Sequence, residues 1–143
     1  MKYHLFIFLL IPCFAFSQDW VQLGSDIDGE AAGDFSGRAI SLSSDGTIVA
    51  IGAYQNDGNG NASGHTRVYE WDGSAWVQRG SDIDGEAAND YSGKAVSLSS
   101  DGTIVAIGAP KNRNKRGHVR VYEWDGSAWV QRGIDIDGSD SRG

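Results

Sequence analysis

The sequence predicts an all-β protein built from β-propeller blades, and an internal repeat is the main reason. Residues 20–53 align with residues 76–109 without a gap and differ at only five positions. Further along, residues 68–78 are identical to residues 121–131. The apolar spacing of a helix is not found after residue 17, whereas alternating and fully apolar short runs recur in both copies. A repeat of fixed spacing is typical of repeat architectures such as propellers.

Each repeat is predicted to hold four short strands. Residues 36–43 alternate apolar and polar side chains, as in a strand with one more polar face. An Asp-Gly turn follows, and residues 47–53 are apolar on both faces, which is typical of a strand buried from both sides. The Ala and Gly positions in that run indicate that neighbouring strands approach closely. A third strand is predicted at residues 65–71, and a fourth begins at Trp76 and runs toward Ile83.

Four short strands in each repeat, with an inner strand buried on both faces, match one propeller blade. A β-sandwich is the alternative, but it would leave one side of each sheet polar. The blades are predicted at about residues 36–80 and 92–136, after an orphan outer strand at about residues 20–28. Closed propellers have roughly 4–8 blades. The chain is therefore expected to be part of a longer array, or else a protomer that closes a ring by association, and we favour the first.

Several short motifs resemble the FG-GAP repeat of integrin-type β-propellers. They are Phe35-Ser-Gly37, Ala50-Ile-Gly-Ala53 and Gly64-His-Thr-Arg-Val-Tyr69, with Ile107-Gly-Ala-Pro110 and Gly117-His-Val-Arg-Val-Tyr122 in the second copy. The resemblance covers the chain after residue 17 and is strongest to arrays in bacterial exported proteins. It implies a propeller fold, with calcium held by an acidic loop between the first two strands of a blade. In this chain that loop is reduced to Ser43-Ser-Asp-Gly46, which carries a single carboxylate.

The first 17 residues have the pattern of a secretory signal peptide. A basic start is followed by the apolar run Leu5–Phe16, and small residues stand at the −3 and −1 positions before a cleavage point after Ser17. Twelve apolar residues are too few to cross a bilayer, which takes roughly 20 in a helix. We therefore expect residues 18–143 to be secreted or displayed at the cell surface. Cleavage would remove Cys13, the only cysteine, so no disulfide is expected.

The charge of the chain limits its partners. The formal net charge is −7, and no basic stripe follows residue 17. Such a chain is unsuited to nucleic acid and to anionic membrane surfaces. A protein or a glycan is the expected partner, together with self-association or flanking repeats.

No catalytic residue and no cofactor are predicted. The carboxylates of the acidic stretch Asp26–Glu30 and its copies are possible calcium ligands. Their spacing does not fit an EF-hand, and Asp-Gly pairs also form turns, so calcium is not favoured. His65 and His118 occupy equivalent positions, with no cysteine or second histidine nearby in sequence. They are interpreted as residues that cap a strand rather than as metal ligands. Every acidic cluster belongs to the repeat, which argues against an enzyme.

The leading hypothesis is a non-catalytic extracellular propeller module for adhesion, scaffolding or ligand binding. Loops on a rigid scaffold usually carry binding residues, and the loops at residues 54–64 and 110–117 differ most between the copies. The candidate ligand-binding residues are Lys111, Arg113, Lys115, Arg116 and Asp57. The cations would attract an anionic ligand such as an acidic polysaccharide. The alternatives are a small lectin-like glycan binder formed by self-association of two-blade units, and a fragment of a secreted glycan-processing enzyme.

Overall fold

The computed structural model describes residues 19–112 and 116–139. The predicted signal peptide with its cleavage point after Ser17, and the candidate ligand-binding residues Arg113 and Lys115, lie outside the described residues. The described residues form ten β-strands in two antiparallel sheets, which confirms the all-β prediction and its propeller-like arrangement. No helix within these residues is long and apolar enough to span a membrane.

The two sheets have the same strand order. The first contains β1 (Ala39–Leu42), β2 (Ile48–Ala53), β3 (His65–Trp71), β4 (Trp76–Gln78) and β5 (Ile83–Asp84). The second contains β6 (Ala95–Leu98), β7 (Ile104–Ala109), β8 (His118–Trp124), β9 (Trp129–Gln131) and β10 (Ile136–Asp137). The predicted fourth strand is divided in two: β4 pairs with the end of β3, whereas β5 pairs with its beginning. The same division recurs where β9 and β10 pair with β8.

The core lies between the two sheets. Ile48, Ala50 and Val68 of the first sheet pack against Val105 and Ile107 of the second, and all five are buried. The strand edges are joined as well, because the Leu98 amide donates to the Ser41 hydroxyl at 2.9 Å. This packing accounts for one apolar face of each inner strand, that of Ile48 and Ala50 in β2 and that of Val105 and Ile107 in β7.

The outward faces of the two sheets expose residues whose repeat counterparts are covered. Ile40 and Leu42 on the first sheet are 66% and 56% exposed, whereas their counterparts Val96 and Leu98 are half-buried. On the second sheet Ile136 is 61% exposed, whereas its counterpart Ile83 is 5% exposed. The outward face of each sheet therefore corresponds, in the repeat, to the face of the other sheet that lies in the interface between them.

Residues 20–28 form no strand with any described residue. They lie against the first sheet as residues 76–84 lie against the second: the Leu23 carbonyl accepts from Trp76 Nε1 at 3.0 Å, and the Arg79 carbonyl accepts from Trp129 Nε1 at 2.7 Å. The segment predicted as an orphan strand thus takes the position, relative to the first sheet, that the outer strand of a preceding blade would take.

Candidate functional site

Three aromatic rings cross the junction of the two sheets near the β2–β3 loop. The Phe35 and Tyr54 rings are stacked with centroids 5.5 Å apart, and Tyr91 meets Tyr54 edge-on at 5.4 Å. Phe35 and Tyr91 are repeat counterparts that precede β1 and β6. Tyr54 follows β2 and lies between them. We call these rings, with the cations Arg38, Lys94 and Lys111, the aromatic–cationic strip.

The two counterpart rings of the strip stand on an unusual backbone. Phe35 has a φ of 54° and Tyr91 a φ of 59°, values that favour glycine over large side chains. Hydrogen bonds hold the second of these turns, in which the Tyr91 amide donates to the Ala62 carbonyl at 3.2 Å. Phe35 is 52% exposed. Residues in sparsely populated backbone conformations cost about 1–3 kcal/mol each and cluster at binding and catalytic sites.

The cations of the strip lie against its rings. Lys94 Nζ is 5.4 Å from the Tyr54 centroid and 5.6 Å from the Tyr91 centroid. Lys111 Nζ is 3.7 Å from the Tyr91 centroid, and the Arg38 guanidinium carbon is 5.9 Å from the Tyr54 centroid. A hydrogen bond with Lys111 lowers the pKa of the Tyr91 phenol, and the Lys111 charge lowers it further. The strip therefore combines exposed ring surface with positive charge.

Of the predicted ligand-binding residues, the structure describes Lys111, Arg116 and Asp57. Lys111 belongs to the strip, and Arg116 is exposed at the far end of the second loop. Asp57 is exposed, but its Oδ1 accepts from the Ala62 amide at 2.7 Å, so it organises its own loop. Sequence reasoning did not single out the three aromatic residues of the strip. The available signal was the repeat alignment of Phe35 with Tyr91, which places an aromatic residue at the same turn in both copies.

The first loop, residues 54–64, joins β2 to β3 and contacts residues 85–92, which lead into the second sheet. Gly64 forms a parallel bridge with Ser92, and the Asn59 side chain donates to the Gly85 carbonyl at 2.7 Å. The Asn89 amide donates to the Asn61 carbonyl at 2.8 Å. Much of this loop is thus used to hold the second repeat in place, and partner contact through it stays a prediction.

Each sheet also carries a cluster of one histidine and two carboxylates. His65 Nδ1 lies 3.8 Å from Glu30 Oε2 and 3.3 Å from Asp82 Oδ2. In the second copy, His118 Nδ1 lies 3.6 Å from Glu86 Oε2 and 3.5 Å from Asp135 Oδ2. We call these the histidine clusters. In each, the Glu comes from the segment before the sheet, the His from the start of β3 or β8, and the Asp from the stretch before β5 or β10.

A buried asparagine orients the glutamate of each cluster. Asn56 Nδ2 donates to Glu30 Oε2 at 3.1 Å and to Asp34 Oδ2 at 2.8 Å. Asn112 Nδ2 makes the corresponding bonds, to Glu86 Oε2 at 3.3 Å and to Asp90 Oδ2 at 2.9 Å. Sequence reasoning missed these asparagines because the loops differ in length. The available signal was their equal distance from the end of the preceding apolar strand.

The chain matches no protein-family model, and no curated protein matches it. The strip, the outward faces and the histidine clusters are the features of the structure that bear on function.

Proposed function

We propose that the protein is a non-catalytic propeller-repeat module that binds an anionic glycan through the aromatic–cationic strip. The observation that carries the proposal is the continuous run of three rings and three cations across the junction of the two repeats. The FG-GAP resemblance and the predicted signal peptide support an exported binding module, secreted or at the cell surface. A long exported glycan is a ligand of suitable shape for a strip that spans two repeats.

The chemistry of the strip suits a charged sugar polymer. Exposed aromatic faces pack against the apolar faces of sugar rings, and Phe35 offers such a face with half of its surface exposed. Lys94 and Lys111 place positive charge beside the same rings, in a chain whose net charge is −7. A local cationic site on an acidic protein steers anionic ligands and makes binding depend on salt.

Binding to alginate, a polyuronate, tests this proposal, with neutral dextran as the comparison. Loss of a ring contact worth about 1 kcal/mol weakens binding about fivefold, so Tyr54→Ala and Lys94→Ala are each expected to reduce affinity for alginate by that order. Arg132→Ala is the matched control, because Arg132 is an exposed cation that pairs with Glu123 at 3.7 Å, away from the strip.

Two results would contradict the proposal. An equal loss in Arg132→Ala would indicate nonspecific attraction, and unchanged binding in Tyr54→Ala would remove the strip as the site. Assay of new reducing ends in the same samples tests the alternative of a glycan-processing enzyme. Their appearance at a rate above that of the polymer alone would contradict a non-catalytic role.

We propose as a second function that the module assembles by stacking blades, with a second copy of the chain covering the outward faces. The observation that favours it is the complementarity of these faces. Ile40 and Leu42 on one face correspond to residues that pack against the first sheet, and Ile136 on the other corresponds to buried Ile83. Docking one face on the other would extend the interface already present between the two sheets. Such a head-to-tail contact is heterologous and can build open or closed assemblies.

Light scattering during gel filtration over a range of concentrations tests this stacking. The chain is expected to form species larger than a monomer. Val119 pairs with Ile136 and is also exposed, so Ile40→Glu/Leu42→Glu and Val119→Glu/Ile136→Glu are each expected to be monomeric. Mixed together, these two variants retain one intact face each and are expected to form a dimer that grows no further. Ala31→Glu/Ala32→Glu adds the same charge in an exposed turn and should assemble like the unmodified chain. A monomer at every concentration would exclude the stacking.

A further inference from the structure

We propose that each histidine cluster binds one divalent transition-metal ion of the zinc type, giving two sites in the chain. One imidazole nitrogen and two carboxylate oxygens converge in each cluster, and the three ligand atoms lie within 4.8 Å of one another. Imidazole nitrogen favours zinc and its neighbours in the transition series over calcium, which prefers an all-oxygen shell. The proposal does not depend on the glycan-binding strip.

The spacing of the donor atoms fits a small ion. Two ligands at about 2.0–2.1 Å from a tetrahedral zinc lie about 3.3–3.4 Å apart. The distance from His65 Nδ1 to Asp82 Oδ2 is 3.3 Å, and that from His118 Nδ1 to Asp135 Oδ2 is 3.5 Å. The Glu oxygens lie slightly farther from the histidines, at 3.8 Å and 3.6 Å. A small rotation of the exposed Glu side chain brings the third ligand into range.

The histidines point to a ligand independently of the carboxylates. Both side chains are 1% exposed. His118 Nδ1 is buried between two carboxylate oxygens, yet it has no hydrogen-bond partner among the described residues. Nε2 of both histidines also has no partner among these residues, so no donor to Nε2 holds the imidazole proton on Nδ1. A buried polar atom without a partner is costly, and a metal ion in the cluster would satisfy it.

Neighbouring amides hold the carboxylates in a ligand geometry. Gln78 Nε2 donates to Asp82 Oδ1 at 2.6 Å, which leaves Oδ2 facing the histidine. Gln131 orients Asp135 in the same way, at 2.8 Å. Hydrogen bonds that orient ligating carboxylates are a regular feature of metal sites.

Charge balance also favours a divalent cation. Each cluster contains two carboxylates, and the amides that orient them are uncharged. In the first cluster, Arg67 Nη1 is 4.0 Å from Glu30 Oε1, which is not the oxygen that faces His65. Coordination through Oε2 therefore leaves that ion pair in place.

Titration of the untagged full chain with zinc chloride alone, followed by calorimetry, tests the proposal. The chain is expected to bind two zinc ions, His65→Gln and His118→Gln one each, and the double variant none at these sites. The double variant retains His4, so it also controls for that residue. Gln78→Ala is expected to weaken zinc binding at the first cluster by about 10–100-fold, because it removes a group that orients a ligand.

Gln22→Ala is the matched control for Gln78→Ala. Gln22 is the repeat counterpart of Gln78 and donates to Asp26 Oδ1 at 2.7 Å, outside both clusters. It should leave zinc binding unchanged. If the histidine variants do not fold, nitrogen NMR of the unmodified chain replaces them, with zinc expected to shift the Nδ1 resonances of two histidines. Zinc binding that the histidine variants do not reduce, or no shift at these nitrogens, would overturn the proposal.

Discussion

At the scale of single residues, the aspartates of the β1–β2 and β6–β7 turns do most to shape local structure. Asp101 Oδ1 accepts from the Ser99 hydroxyl at 2.6 Å and from the Thr103 amide at 3.0 Å, and Asp45 makes the same contacts in the first repeat. These bonds, that from Ser99 above all, lower the pKa of Asp101 to about 2. The tight turn was predictable, because all its partners lie within a few residues.

Asp101→Asn is expected to lower the thermal midpoint by a few degrees at pH 7. Because the pKa of Asp101 is lowered in the folded state, its stabilising effect is fully present above the model-compound value of 3.8 and is lost as the pH falls toward 2. The difference in midpoint between Asp101→Asn and the unmodified chain should therefore shrink between about pH 4 and pH 2. Thermal melts followed by circular dichroism across this range provide the measurement.

Ser99→Ala serves as the comparison for the aspartate variant. It removes the largest cause of the lowered pKa, so the loss of stability on acidification should be smaller and should be complete at a higher pH. A midpoint difference for Asp101→Asn that stays constant down to pH 2 would mean that the carboxylate charge is not the source of the effect.

At the scale of the strands, glycines set how closely the two sheets approach. A Cβ on Gly52 of β2 would lie 1.9 Å from the Gly93 carbonyl oxygen of the second repeat. Its counterpart, Gly108 of β7, faces outward, and a Cβ there would come no closer than 3.4 Å to Ala95 Cβ. The sequence prediction that neighbours approach closely at these positions is thus confirmed for Gly52. The two glycines differ because a second sheet packs on the face of Gly52 but not on that of Gly108. The local sequence is identical around both, so it cannot predict this difference.

Gly52→Ala is expected to lower the free energy of unfolding by about 1–3 kcal/mol or more, because backbone atoms must move apart to admit the methyl group. Gly108→Ala provides the matched substitution in the same sequence context, and it is expected to change stability by about 0.5 kcal/mol or less. Urea denaturation at low protein concentration compares the two. Equal losses in both variants would mean that the sheets do not pack through Gly52.

At the scale of the whole molecule, the strands and the blade-like sheets were predictable from the sequence. The histidine clusters and the aromatic–cationic strip were not, because their residues come from segments that are distant in sequence. Strand positions follow from apolar patterns that are local to a few residues. The histidine clusters join three segments that are distant in sequence. His65 and His118 have no cysteine or second histidine nearby in sequence, so the sequence alone favours strand caps. The strip was missed for the same reason, since Tyr54 meets Tyr91 only when the two sheets pack together.

Because the sheets share one core, they are expected to unfold together. Ile107 of β7 is 1% exposed and packs in the same cluster as Ile48 and Val68 of the first sheet. Ile107→Ala should lower the free energy of unfolding by about 2–5 kcal/mol, and amide hydrogen exchange should accelerate by the same factor in β2 and in β7. Ile40→Ala, at a site that is 66% exposed in the single chain, is the control and should change exchange little in either strand at low protein concentration. Faster exchange confined to the second sheet would show that each sheet is stable by itself, and would argue against a core that depends on face-to-face packing of blades.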